Sequence, residues 1–218
     1  PFKFKGGFEF TGFQGLASHG AAIGIIVGMY LYRKKYNYKS LLWILDRVVI
    51  TVASGAVFIR IGNFINSEII GKITDSNLGV RFIQDYYYKS QITQLTGIKD
   101  VKKAYAAVTE NPQFAELLEK VPYRHPAQLY ESFSYIFVFL ILWYFYSKTD
   151  KKNQSGFLFG LFLILLWTIR FFVEFTKEPQ GEEYINWFGL NTGQWLSIPF
   201  VLLGLYFMFV YKPKSAVK

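Results

Sequence analysis

Apolar residues fall into five long runs, Leu16–Tyr32, Leu41–Ile65, Leu129–Tyr146, Phe157–Phe175 and Trp195–Tyr211, separated by polar segments. At about 1.5 Å of rise per residue, each run can cover a hydrocarbon core of roughly 30 Å once tilt is allowed. Buried helices of soluble proteins seldom run this long without a polar face, so the pattern argues for membrane-spanning helices over a soluble helical core. Between the second and third runs, residues 72–123 are polar. Within them Val101, Tyr105, Val108, Phe114, Leu117 and Leu118 recur at helical spacing across Lys99–Glu119, with a break at Pro112. Val80–Tyr88 is rich in aromatics and reads as a short strand or an interfacial element. No internal repeat is visible. The expected architecture is an all-α integral membrane protein: one membrane domain over residues 1–218, five transmembrane helices, and an extramembrane insertion over residues 72–123.

Charge turns these spans into a topology. The 218 residues are 52% hydrophobic and 18% charged, which excludes a disordered tail, a fibrous repeat or a coiled coil. A net charge of +9 would suggest nucleic acid in a soluble chain. Here Arg33, Lys34, Lys35 and Lys39 follow the first run, Lys148, Lys151 and Lys152 the third, and Lys212, Lys214 and Lys218 the fifth. These segments alternate onto one side, which the positive-inside rule makes cytoplasmic. The amino end and the insertion are then expected outside and the carboxyl end inside, with a membrane rather than nucleic acid as partner. Cysteine is absent, which excludes disulfides, thiolate metal sites and a thiol nucleophile of the chain's own. Two histidines, His19 and His125, are too few for a multi-histidine metal site, and neither a metal nor a cofactor is expected. The sequence starts at Pro1, and residues 1–16 lack the apolar core of a signal peptide, so a fragment or a processed product is expected.

Several charges lie where lipid should be. In the second run, Asp46, Arg47 and Arg60 leave only Val48–Ile59 uncharged, too short to span a bilayer. A charged group at membrane depth costs roughly 3 kcal/mol on insertion scales and has to face protein or water. Snorkelling is the bland account of Arg60. Against it stand Asn63, Asn66, Ser67, Glu68 and Gly71, which follow directly, Asn63 on the same helical face as Arg60. The fourth run carries Arg170 and, one turn later, Glu174, a spacing that suits a self-neutralising ion pair. The third run opens Arg124-His125-Pro126-Ala127-Gln128-Leu129-Tyr130-Glu131, the first near Ser18, His19 and Gly20, and the fifth near Thr192, Gly193 and Gln194. Given the topology, all of these groups except Asp46 and Arg47 fall in the outer half, so they suggest one polar cavity opening outward. Asp46 and Arg47 are expected to pair for structure. Gly20, Gly24 and Gly28 repeat at four-residue spacing, which suits close helix packing, with Gly20 also able to admit a substrate to the backbone.

Two arginines at one depth match a phosphate or carboxylate, because guanidinium forks bind oxyanions in bidentate fashion. Histidine is the usual group for moving a proton near neutral pH. The sequence has neither the dense aspartate array of a metal-dependent alcohol-phosphate transferase nor a P-loop.

The ordered set Ser18-His19-Gly20, Arg60-Ile61-Gly62-Asn63-Phe64-Ile65-Asn66-Ser67-Glu68 with Gly71, Arg124 to Glu131, Arg170-Phe171-Phe172-Val173-Glu174-Phe175 and Gly193-Gln194 closely resembles the phosphatidylglycerol–prolipoprotein diacylglyceryl transferases of bacterial lipoprotein maturation. The likeness covers nearly the whole chain. It implies a multi-pass enzyme of the bacterial inner membrane with seven helices, of which this chain would lack the first two. It also implies transfer of a diacylglyceryl group from phosphatidylglycerol to the lipobox cysteine of a preprolipoprotein signal peptide, forming a thioether and releasing glycerol phosphate. A thiol needs a base nearby, for which the resemblance points to His19. The leaving phosphate falls to Arg60 and Arg170 with Asn63 as an added donor, while Glu68 and Glu174 would orient the arginines or bind the glycerol head. Gly20, Asn66, Gly71, His125, Gln128, Tyr130, Glu131 and Gln194 are secondary candidates. The competing function is a phospholipid or organic-anion transporter that uses the same arginines only to bind.

Overall fold

The computed structural model describes residues 2–4, 8–10, 17–36, 40–178 and 189–211, with side chains from Gly24 onward apart from Ile26. Two compact units divide near Leu45. In the first, β1 (Phe2–Phe4) pairs antiparallel with β2 (Phe8–Phe10), Lys3 opposite Glu9. Helix α1 (Ala17–Tyr36) follows, and Arg33, Lys34 and Lys35 in its last turn complement the negative end of the helix dipole. The Ser40 hydroxyl caps the next helix, α2 (Leu41–Ile65), by accepting the Trp43 N–H at 3.2 Å.

The second unit runs from Asp46. It holds the rest of α2, then α7 (Ala127–Lys148), α8 (Phe157–Val173, extended by a 3-10 turn to Thr176) and α9 (Thr192–Leu205, extended by a π turn to Val210). These are four helices long and apolar enough to cross a membrane among the described residues. Their shared core forms because the inward positions keep helical spacing. Val49, Ala53 and Val57 of α2 meet Tyr135, Val138 and Leu142 of α7 and Leu158 and Phe162 of α8. The outward positions are also apolar, with Phe58, Phe133, Phe137, Trp143, Leu202 and Phe209 exposed, as a lipid-facing surface requires. Lipid tails are as apolar as these side chains, so helix association rests on close packing. Gly160 and Gly204 supply it: a Cβ on either would stand 2.7 Å from the other's carbonyl oxygen. Trp167 stacks on Phe200 at 4.2 Å beside them.

One end of this bundle is closed by Asp46. Its buried carboxylate accepts the N–H groups of Gly156 at 2.7 Å and Phe159 at 2.8 Å, so a side chain of α2 caps the start of α8. Asp46 also interacts electrostatically with the neighbouring Arg47, whose guanidinium lies over the Tyr146 ring at 5.9 Å.

Residues 72–123 fold on a small core of their own. Strand β3 (Val80–Arg81) pairs antiparallel with β4 (Tyr123–Arg124). Between them lie α3 (Ile83–Tyr86), α4 (Lys89–Thr96), α5 (Val101–Glu110) and α6 (Ala115–Glu119), the last two separated by a turn at Pro112. Ile83, Tyr87, Ile92, Ala104, Val108 and Val121 are buried together. Burial raises the pKa of the Tyr87 phenol, with a smaller push from Tyr86, and burial likewise raises that of Tyr105. Their hydroxyls donate to the Leu117 and Tyr87 carbonyls at 3.0 and 2.6 Å.

Candidate functional site

Three chain segments close over the bundle end opposite Asp46. After α2 the chain turns sharply, with Ser67 and Ile69 both at φ +56°. Such a conformation is costly for a β-branched residue, about 1–3 kcal/mol, and persists only where surroundings enforce it. Here Glu68 N–H donates to Asn63 O at 2.8 Å, and the buried Gln128 amide donates to Glu68 O. Gly71 then enters an irregular sheet. Its N–H donates to His125 O at 3.0 Å, while Lys72 N–H donates to Thr176 O at 2.8 Å. Backbone bridges run Gly71 to Lys177 and Ile73 to Arg124. A Cβ on Gly71 would overlap the His125 carbonyl and come within 2.8 Å of the Thr176 carbonyl, so only glycine lets the three strands close. Arg124 adds a side-chain tie, donating to Gly71 O at 3.2 Å and to Glu178 at 2.5 Å.

Below this clasp sits a buried charge network. Glu131, on the first turns of α7, is fully buried, and Lys177 is 5% exposed. Lys177 Nζ donates to Glu131 Oε1 at 2.8 Å and reaches Glu174 Oε2 at 3.3 Å. Arg60 Nε stands 2.7 Å from Glu131 Oε2, an ion pair off the N–H axis, since that oxygen accepts no hydrogen bond. Arg170 Nε is buried without a hydrogen-bond partner, and its guanidinium lies 5.3 Å from the Trp167 ring. Tyr135, one turn beyond Glu131, shares a side-chain hydrogen bond with Arg60 and feels the charges of Glu131, Arg60 and Arg170. Gly193 packs directly on the Glu174 side chain, where a Cβ would stand 2.6 Å away, so the amino end of α9 abuts that carboxylate. Asn191 and Gln194 form a capping box there, and Gln194 donates on to Phe171 O at 3.4 Å.

Buried polar atoms rarely lack partners. Among the described residues those without one are Arg81 Nε, Gln128 Oε1, Glu131 Oε2, Arg170 Nε and Thr192 Oγ1. All but Arg81 Nε belong to the turns of α7, α8 and α9 nearest the clasp. Gln128 Oε1 and Glu131 Oε2 are acceptors and Thr192 Oγ1 can act either way, so Arg170 Nε is the one charged donor among these four, the kind of group that suits an oxyanion.

The sequence-derived candidates sort as follows. Arg60, Glu131 and Glu174 meet in the network through Lys177, whereas Arg170 has no ion pair with any of them. Glu174 pairs with Lys177 rather than with Arg170, so the i, i+4 pair does not form. Gln128, Gly71 and Gln194 build the frame. His125 Nδ1 lies 3.2 Å from the Tyr130 hydroxyl, beside the clasp. Asn63 is half-buried, whereas Asn66 and Glu68 are exposed and line a neighbouring cleft of about 660 Å³ with Gln84, Lys89 and Tyr105. His19 and Gly20 belong to α1, but their side chains lie outside the described residues. Sequence reasoning did not single out Lys177, and it quoted Arg124 only as the start of a motif. The hint for Lys177 was its place three residues after Glu174.

Residues 6–210 match the family of prolipoprotein diacylglyceryl transferases. The chain is 40% identical to a phosphatidylglycerol–prolipoprotein diacylglyceryl transferase of Bacteroides fragilis, over the whole of this chain and 66% of that protein. It is 38% identical to one of Tolumonas auensis over 93% of this chain and 64% of the relative, and 36% identical to one of Porphyromonas gingivalis over 88% and 60%. It thus spans somewhat under two thirds of the length of these curated relatives. With four apolar membrane-length helices and this extent of match, the chain belongs to the prolipoprotein diacylglyceryl transferase family, a family of multi-pass membrane proteins.

Proposed function

We propose that the protein transfers the diacylglyceryl group of phosphatidylglycerol to the lipobox cysteine of a preprolipoprotein in the bacterial inner membrane. The observation that carries this reading is Arg60 ion-paired to buried Glu131, together with Arg170, whose Nε is buried without a hydrogen-bond partner in an apolar bundle. The thiol sulfur would attack the glyceryl carbon that bears the phosphate. The carbon–sulfur bond forms as the carbon–oxygen bond breaks, the electron pair leaves with glycerol phosphate, and the thiol proton passes to a base. Attack on a saturated carbon needs no oxyanion hole, so the demand falls on holding the phosphodiester and its developing charge. Arg60 and Arg170 are the proposed holders, with Asn63 as an added donor. Glu68 and Glu174 stay as candidates for the glycerol head, and His19 is the proposed base. Exposed Asn66 and Glu68 border the cleft against α3–α5, which supports residues 72–123 as the region met by the substrate peptide. The basic segments after Tyr32, Tyr146 and Tyr211 support an outward amino end and a cytoplasmic carboxyl end.

The test is a mass assay with full-length protein, phosphatidylglycerol and a lipobox peptide. Wild type should add a diacylglyceryl mass to the cysteine. Arg60→Ala and Arg170→Ala should each cost about 10²-fold or more, the scale of losing one charge-stabilising donor. Loss with Arg60→Ala but not with His19→Ala would keep the reaction and discard that base. A wild type that binds the lipid and modifies nothing would remove the transferase reading in favour of transport.

A further inference from the structure

We propose that Lys177 is a positioning residue that holds Arg60 available for an anion; this rests on the phosphate site proposed above. Glu131 is fully buried, and a buried carboxylate facing a lone arginine draws both arms of the guanidinium into a bidentate pair. That pairing would leave Arg60 with little to offer a ligand. Instead Lys177 takes Glu131 Oε1 with a hydrogen bond at 2.8 Å, and the closest approach of Arg60 is through Nε to the other oxygen, without an aligned bond.

The same ammonium reaches Glu174 at 3.3 Å. One lysine thereby bridges two carboxylates, each of which has an arginine within its neighbourhood or one turn away. Arg60 and Lys177 pair with Glu131 and Glu174, and Arg170, four residues before Glu174, adds a third positive charge, which leaves one uncompensated, the complement of a phosphodiester monoanion. Without Lys177 the two carboxylates would neutralise the two arginines: Glu131 would take the fork of Arg60, and Glu174 stands at i, i+4 spacing to take Arg170. Lys177 is also placed with little freedom. Its backbone bridges to Gly71 and its N–H donates to Glu174 O at 3.2 Å, so its reach is fixed by the clasp.

The experiment uses full-length protein in phosphatidylethanolamine nanodiscs with graded phosphatidylglycerol and a saturating lipobox peptide, read by mass. Lys177→Met should raise the KM for phosphatidylglycerol by about tenfold or more, with a smaller change in kcat. Lys177→Arg should return KM to within a few-fold of wild type. The double variant Glu131→Gln with Lys177→Met should recover part of the loss, because the neutral amide no longer claims Arg60. It also serves if Lys177→Met alone folds poorly from stranding a buried carboxylate. An unchanged KM in Lys177→Met, or Lys177→Arg no better than Lys177→Met, would overturn the inference. A wild type that forms no product speaks against the transferase reading instead. In that case native mass spectrometry of retained phosphatidylglycerol decides on Lys177: weaker retention by Lys177→Met supports the role, and equal retention overturns it.

Discussion

The two polar ends of the second unit handle buried charge in opposite ways. Asp46 presents its carboxylate oxygens to two backbone N–H groups, and neither oxygen is left wanting. At the other end, three cations and two carboxylates share few well-aligned bonds, and Arg170 Nε, Glu131 Oε2, Gln128 Oε1 and Thr192 Oγ1 stay unmet. A satisfied buried charge holds helices in place. A cluster that leaves both donors and acceptors unmet keeps its shape only where its frame is imposed from outside, and it is the proposed ligand site. The contrast agrees with the sequence expectation that Asp46 is a structural charge and Arg60 a candidate site charge, although both lie in the same apolar run.

The largest effect expected from this contrast is on stability. Asp46→Ala strands the Gly156 and Phe159 N–H groups and should cost about 2–4 kcal/mol, while activity per folded molecule stays at the wild-type level. Thermal unfolding in detergent, set against specific activity, checks both halves; a marked fall in specific activity would break the division. Gly71→Ala comes next. The methyl group pushes the His125 and Thr176 carbonyls apart, and a loss of about 1–3 kcal/mol should accompany a drop in specific activity, because Lys177 moves with the clasp. The smallest stability change belongs to Arg170→Met. It removes an unpartnered buried donor, so the melting temperature should hold or rise even as transfer is lost. A melting temperature that falls as far as that of Asp46→Ala would show Arg170 to be a structural charge.

A titration applies the same test to residues 72–123. The Tyr87 and Tyr105 phenols donate hydrogen bonds in a buried setting, and their pKa values are raised above the usual 10. The stability they contribute is fully present below pH 10 and is lost as pH rises through their folded values, when the phenolates can no longer donate. Protease sensitivity of this segment should therefore increase above about pH 10, and Tyr105→Phe should blunt that increase at a cost of about 1 kcal/mol at neutral pH. A flat profile would mean that these hydroxyls contribute nothing.

Helices were legible in the sequence because their signal is local. The run Leu41–Ile65 is α2 to the residue, and Phe157–Phe175 differs from the α8 span by one residue at its end. The spacing from Val101 to Leu118, broken at Pro112, became α5 and α6. Helix α4 was passed over, since its single buried residue, Ile92, sits among polar neighbours. The meeting of Arg60, Glu131 and Glu174 was approachable, because each is a charge in an apolar run. Their partners were not. Helical spacing allowed Arg170 to pair with Glu174, but the chain tightens into a 3-10 turn at Glu174 and brings Lys177 in. That turn is fixed by Gly71 and His125, residues distant in sequence whose contacts no periodicity encodes.

The clasp at Gly71 also makes the site a product of completed assembly. Its strands come from the end of α2, the approach to α7 and the exit of α8, so the cation on Lys177 reaches Glu131 only after the last of these has been made and docked. A bundle interrupted before that point holds a buried carboxylate with one arginine beside it and no charge to spare. On the proposed function, incomplete copies would be inert toward anionic lipid, and competence to bind would report that these three internal segments have found one another.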